Sequence, residues 1–186
     1  MMATVKKRPP KSESEVSQAE SAPIFHSREE RIATGKTLRE NLPRSSHGGW
    51  KPTAMRRDPI DILEESNQDR LPELVPIRYG RMLASPFTFL RGSAALMAYD
   101  LANTPNTGLR IQACGDCHLL NFGLFATPER NLVFDINDFD ETLPAPWEWD
   151  VKRLTVSFAV AGRDNRLSGA ENRDVVLECA RAYREH

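Results

Sequence analysis

Cys114-Gly-Asp-Cys-His-Leu-Leu-Asn121 and Phe134-Asp-Ile-Asn-Asp-Phe-Asp-Glu-Thr142 are the two stretches on which the reading of this chain turns. Around them, residues 109–113, 122–126 and 132–136 are short runs of apolar, β-branched and aromatic residues, the pattern of strands. Thr127-Pro-Glu-Arg-Asn131 is turn-like, so the last two runs are expected to pair as a hairpin. One loop then lies just before that hairpin and the other just after it. Between Asp116 and Asp150 the acids Asp116, Glu129, Asp135, Asp138, Asp140, Glu141, Glu148 and Asp150 face one basic residue, Arg130. Carboxylates gathered so closely repel one another unless water, raised pKa values or a cation relieves them. A divalent cation relieves them most directly, and Mg²⁺ takes hard oxygen ligands such as carboxylates and an Asn carbonyl. The competing reading is a solvated acidic face.

Helical signals flank this region. Ser27-Arg-Glu-Glu30 fits a capping box that opens a helix to about Asn41, with Pro43 as its stop. Asp58-Pro59 reads as an N-cap followed by proline at the first helical position, with the helix running to Glu65. Residues 93–102 place Ala94, Leu96, Met97 and Leu101 at helical spacing. Residues 147–161 do the same with Trp147, Val151, Leu154, Phe158 and Ala161. Ser168-Gly-Ala-Glu171 is a second capping box, and its helix runs toward His186 without a stop signal. Residues 1–25 are rich in Lys, Ser, Glu and Pro and are too poor in apolar area to offset the entropy of ordering, which predicts a disordered tail. The expected fold class is therefore α+β: a disordered N-terminal tail, a helical N-terminal part, and a small antiparallel strand–loop–strand unit followed by two helices. Residues 26–186 form a single domain in this reading.

Composition narrows the function classes. Of 186 residues, 40% are hydrophobic and 27% charged, as in ordinary globular proteins. Lys and Arg number 25 against 26 Asp and Glu, so the basic excess of a nucleic-acid binder is missing. No apolar run approaches the roughly 18 residues of a membrane span, and no apolar segment follows the basic N-terminus to make a secretory signal. Three cysteines, Cys114, Cys117 and Cys179, are an odd count that fits a reducing, cytoplasmic location better than a disulfide framework.

The offset between Asp116 and Asn121 narrows them further. In protein kinases a loop Asp handles the acceptor hydroxyl, an Asn five residues later holds metal, and an Asp before Phe at the end of a strand holds the metal that bridges the nucleotide phosphates. Gly115-Asp-Cys-His-Leu-Leu-Asn121 followed by Asp138-Phe-Asp140 resembles the aminoglycoside and choline kinase form of this arrangement. Trp149-Asp-Val-Lys-Arg-Leu154 resembles the helix start that follows the metal loop in those enzymes.

Longer stretches carry a wider resemblance. Leu74-Val-Pro-Ile-Arg-Tyr-Gly-Arg-Met82, Ser85-Pro-Phe-Thr-Phe-Leu-Arg-Gly92 and residues 115–123, 134–142 and 147–154 resemble the uncharacterised bacterial family called domain of unknown function 2252 from about Glu30 onward. That resemblance implies a partial kinase-like catalytic lobe acting on Mg²⁺ and ATP, with an unknown small-molecule or protein acceptor and neither nucleic acid nor membrane as partner. It puts Asp116 at the catalytic base and His118 at the loop histidine beside it. Asn121 and Asp138, with Asp140 next to them, become the metal ligands. A kinase also needs a Gly-rich loop and a strand Lys over the phosphates. Gly48-Gly49 is only a turn, and Lys36 and Lys51 lack strand context. The resemblance puts both elements after the catalytic loop, past His186, so the domain is expected to be truncated and weak or inactive.

Other readings compete. Cys114-Gly-Asp-Cys-His118 matches the haem-attachment pattern C-x-x-C-H, but export and a helix start are missing. An Asp inside a thioredoxin-like C-x-x-C would disfavour its thiolate, and Cys114, Cys117 and His118 are too few for structural zinc. Small buried packing is the plainer role for the two cysteines. A metal-dependent hydrolase could use Asp116, His118, Asp135 and Asp138, and an inert kinase-like chain could act by binding a partner. Arg91-Gly92, ahead of a helix, is either a phosphate site or a capping turn.

Overall fold

A computed structural model describes residues 26–185; the expected tail, 1–25, lies outside them. The chain divides at Thr37/Leu38 into two units. The first, within the described residues, is the start of helix α1 (Arg28–Asn41). Its capping box forms as expected: the Glu30 amide donates to Ser27 Oγ at 3.1 Å, and the Ser27 amide donates to Glu30 Oε2 at 2.7 Å.

In the second unit the helices α2 (Pro59–Glu65), α3 (Val75–Met82), α4 (Pro86–Arg91) and α5 (Ala94–Ala102) come first. Asp58 Oδ1 accepts the Ile60 amide at 2.7 Å, and Pro59 sits in the first turn, where its missing N–H costs nothing. The stretch from Ile77 to Phe89 is two helices because Ser85 and Thr88 cap α4 reciprocally. Strand β1 (Arg110–Ala113) follows, then β2 (Phe122–Ala126), β3 (Leu132–Ile136) and β4 (Leu143–Pro146), and finally α6 (Glu148–Asp164) and α7 (Gly169–Glu185).

The architecture is mixed α+β with two small antiparallel sheets. β2 and β3 form the expected hairpin, with Phe122 opposite Ile136 and Leu124 opposite Phe134. β1 pairs with β4, Arg110 opposite Pro146 and Ala113 opposite Leu143. The sequence concealed β4, because a four-residue strand with two prolines can survive only at an edge, where proline's missing donor is not needed. Along the chain, the paired strands β1 and β4 thus bracket both loops and the β2–β3 hairpin.

The core lies under α2–α6. Leu63, Ile62, Met82, Leu96 and Leu101 bury their side chains among the helices, and Ala113 and Ala145 close the β1–β4 ribbon. α6 packs on α4 and α7. The approach to α7 is close at Gly162, where a Cβ would stand 2.1 Å from Asn172 Oδ1. Asn172 Nδ2 donates to the Ala159 carbonyl at 3.0 Å, which fixes the register of the pair. Among the described residues no helix is long and apolar enough to cross a membrane.

Candidate functional site

α6 positions the first loop through its polar stripe. Asp150, Arg153 and Ser157 are three and four residues apart, hence on one face of the helix. Asp150 accepts the Cys114 amide at 2.8 Å and the Gly115 amide at 3.1 Å. Ser157, fully buried, accepts the Leu119 amide at 2.9 Å and donates to the Leu154 carbonyl at 2.7 Å. Gly115 has φ +81°, and a Cβ there would stand 2.0 Å from the Glu141 carbonyl oxygen, so only glycine lets the two loops come this close.

Arg153 is 2% exposed and joins Asp116, donating from Nε to Oδ1 at 2.6 Å and contacting it also through Nη2. Nη2 further donates to the Leu90 carbonyl at 2.7 Å, which ties α4 to α6. Burial raises the Asp116 pKa, while the Arg153 charge and hydrogen bond oppose that rise. Oδ1 is thus engaged, and Oδ2 lies 3.5 Å from His118 Nε2. His118 is 5% exposed, with Nδ1 buried and unpartnered among the described residues. Burial first, then the charges of Arg153 and Arg91, lower its pKa to about 4, so the ring is neutral near pH 7.

Asn121 fuses the two loops. Its Nδ2 donates to the carbonyls of Asp116 and Asp138, each at 3.1 Å, and approaches Cys114 Sγ at 3.5 Å. Its own carbonyl accepts the Asn137 amide at 2.9 Å. With Nδ2 spent on the backbone, Oδ1 has no hydrogen bond among the described residues. Asp138 Oδ1 accepts the Asp140 amide at 3.1 Å, folding the second loop into an Asx turn. Glu141, beside them, has its pKa raised by burial and by the charges of Asp116 and Asp138.

Asp116, His118, Asn121, Asp138 and Asp140 therefore all line one open cleft of about 1470 Å³, together with Asn137 and Glu141. The remaining acids go elsewhere. Glu148 Oε1 accepts the Thr107 amide at 2.7 Å, Asp150 holds the loop amides, and Asp135 Oδ1 accepts the Ile136 amide. Among the described residues no three His, Cys, Asp or Glu side chains converge on a metal position, so the four ligands of the hydrolase reading do not meet. Cys114 and Cys117 are free and buried, in keeping with a packing role. Sequence reasoning missed Arg153 as the partner of Asp116 and Asp150 as the loop anchor. The signal was present, since the 150–153–157 stripe runs beside the apolar stripe of the same helix.

A family model described as "Uncharacterized protein conserved in bacteria (DUF2252)" matches residues 70–186. The chain belongs to this family. The matched region of domain of unknown function 2252 starts just before α3, so it contains both loops, the hairpin, α6 and α7, and leaves α1 and α2 outside. No curated protein and no solved structure matches the chain.

Proposed function

We propose that the cleft belongs to an ATP-dependent, kinase-like phosphotransferase of the cytoplasm, where Cys114, Cys117 and Cys179 stay reduced. The observation that carries this reading is the placement of Asn121, whose Nδ2 binds the backbone of both loops and so leaves Oδ1 as a free hard donor beside Asp138. Asn121 Oδ1 and the carboxylates of Asp138 and Asp140 suit Mg²⁺. The scarcity of carboxylates also suits it, because Mg²⁺ in nucleotide sites takes one or two protein carboxylates and fills its shell with water and phosphate oxygens. Bound there, Mg²⁺ would neutralise charge on the nucleotide phosphates.

Asp116 carries the base role. Arg153 opposes the rise that burial imposes on its pKa, and Oδ2 would accept the proton of an acceptor hydroxyl. The acceptor oxygen bonds to the terminal phosphorus as the bond to the nucleoside diphosphate breaks. His118, neutral near pH 7, stands 3.5 Å from that Oδ2 and meets Phe87 edge-on with ring centroids 6.4 Å apart. The acceptor is a small molecule or a protein.

Calorimetric titration of the chain with Mg²⁺-ATP tests this. Binding should fall at least tenfold in Asp138→Asn and persist in Asp116→Asn. Unchanged binding in Asp138→Asn would overturn the assignment, and metal-dependent ester cleavage without nucleotide would favour a hydrolase instead.

A further inference from the structure

The cleft has a second wall, opposite in charge and unused by the chemistry above. Arg70, Arg78 and Arg81 from the α3 side and Arg91 at the end of α4 line the same cavity as Asp116 and Asp138. Arg78 is held in place: Nη1 donates to Asn67 Oδ1 at 2.8 Å, and Nη2 donates to the Gly92 carbonyl. Burial, and after it the like charge of Arg70, lowers its pKa. Arg70 reaches Glu141 at 3.8 Å. Arg81 and Arg91 form no ion pair and no side-chain hydrogen bond among the described residues, although four carboxylates line the cleft with them. One of those carboxylates, Asp116, is already taken by Arg153.

Arg81 and Arg91 are exposed and unpaired among the described residues, so both are free to take an anion that enters the cleft beside the fixed Arg78. The planar fork of arginine matches the oxygens of a phosphate in paired N–H···O⁻ bonds, which are shorter and stronger than neutral ones. An ordinary solvated surface would scatter such residues, whereas here α3 and α4 direct them into one concavity whose other wall is acidic.

We infer that Arg81 and Arg91, backed by Arg78 and Arg70, form a binding site for a phosphate group presented next to Asp116. The site deepens the phosphotransfer reading and rests on it for the molecule that brings the phosphate, either the donor polyphosphate or a phosphate ester on the acceptor. Phosphate binding itself needs no metal, so failure of the Asp138 metal assignment would leave the outcome below untouched.

The test is titration of the chain with inorganic phosphate and with tripolyphosphate, in low-salt buffer containing EDTA, followed by calorimetry. At least one probe should bind saturably. Arg81→Gln and Arg91→Gln should each weaken it tenfold or more, with far-ultraviolet circular dichroism unchanged, while Arg173→Gln on α7 should match the wild type. Tripolyphosphate binding at least a hundredfold tighter than phosphate supports the site with the donor as source, and comparable affinities support it with an acceptor ester as source. Absence of saturable binding by either probe, or binding that survives the Arg81→Gln/Arg91→Gln double substitution, overturns the proposal.

Discussion

The two loops of the cleft are held in opposite ways. The loop after β1 rests on α6, where Asp150, Arg153 and Ser157 take its amides and its one carboxylate, and its residues Cys114, Cys117, His118 and Asn121 are buried. The loop after β3 stands at the foot of a hairpin with exposed apolar side chains: Leu132 is 70%, Phe134 67% and Leu124 65% exposed. Helix α6 reaches the first loop directly and the second through Cys114, Asn121 and the backbone contact at Gly115. This contrast separates two tasks. In the proposed reading the first loop fixes Asp116 and the buried Asn121, while the exposed Asp138 and Asp140 of the second stay near water, where they can meet a hydrated ion.

The sharpest break in that contrast is Arg153→Met. It strands Asp116 as a buried, unpaired carboxylate, and such losses cost about 3–5 kcal/mol. Urea unfolding should show that loss, and the added change Asp116→Asn should restore most of it. If Arg153→Met left the midpoint where it was, α6 would not be the anchor of this loop.

A smaller effect comes from His118. Its folded pKa, about 4, lies below the ordinary value of 6.5. Between those values the unfolded chain binds a proton that the folded chain refuses, so stability falls as pH drops from 6.5 toward 4 and levels off below. Linkage puts the loss at about 2 kcal/mol by pH 5. The difference in unfolding free energy between pH 7 and pH 5 should shrink by that amount in His118→Gln.

The smallest effect belongs to the hairpin. Leu132→Ser removes a side chain that is mostly in water already and should move stability by no more than about 0.5 kcal/mol. A loss of several kcal/mol would mean that the second loop is supported through the hairpin's apolar face, and the contrast would fail.

What could be read in advance follows the range of each interaction. Both capping boxes, the Asp58-Pro59 helix start and the β2–β3 hairpin depend on residues within a few positions of one another, and all were legible. The residues of the candidate site were legible because an Asp and an Asn five apart in one loop, with Asp138 after the next hairpin, are forced together by that hairpin's closure. Strand β4 was hidden, because its partner β1 lies some thirty residues upstream and its prolines argue against a strand by themselves. Arg153 was read as part of a helix start, while its role depends on Asp116, 37 residues away, and on the Leu90 carbonyl, 63 away. The basic wall was legible only in part: Arg91 stood out as either a phosphate site or a capping turn, whereas Arg78 and Arg81 look like solvated helix residues until α3 and α4 are packed beside the loops.

The central claim is that Asn121 and Asp138 share one cation beside Asp116. Paramagnetic broadening of amide NMR signals by Mn²⁺ with nucleotide measures this directly. The account predicts that the amides of Asn121, Asp138 and Asp140 and the side-chain amide of Asn121 broaden first, while those at the hairpin tip, around Glu129 and Arg130, stay sharp. Broadening centred anywhere outside the cleft, or broadening at Asp138 that spares Asn121, would contradict it.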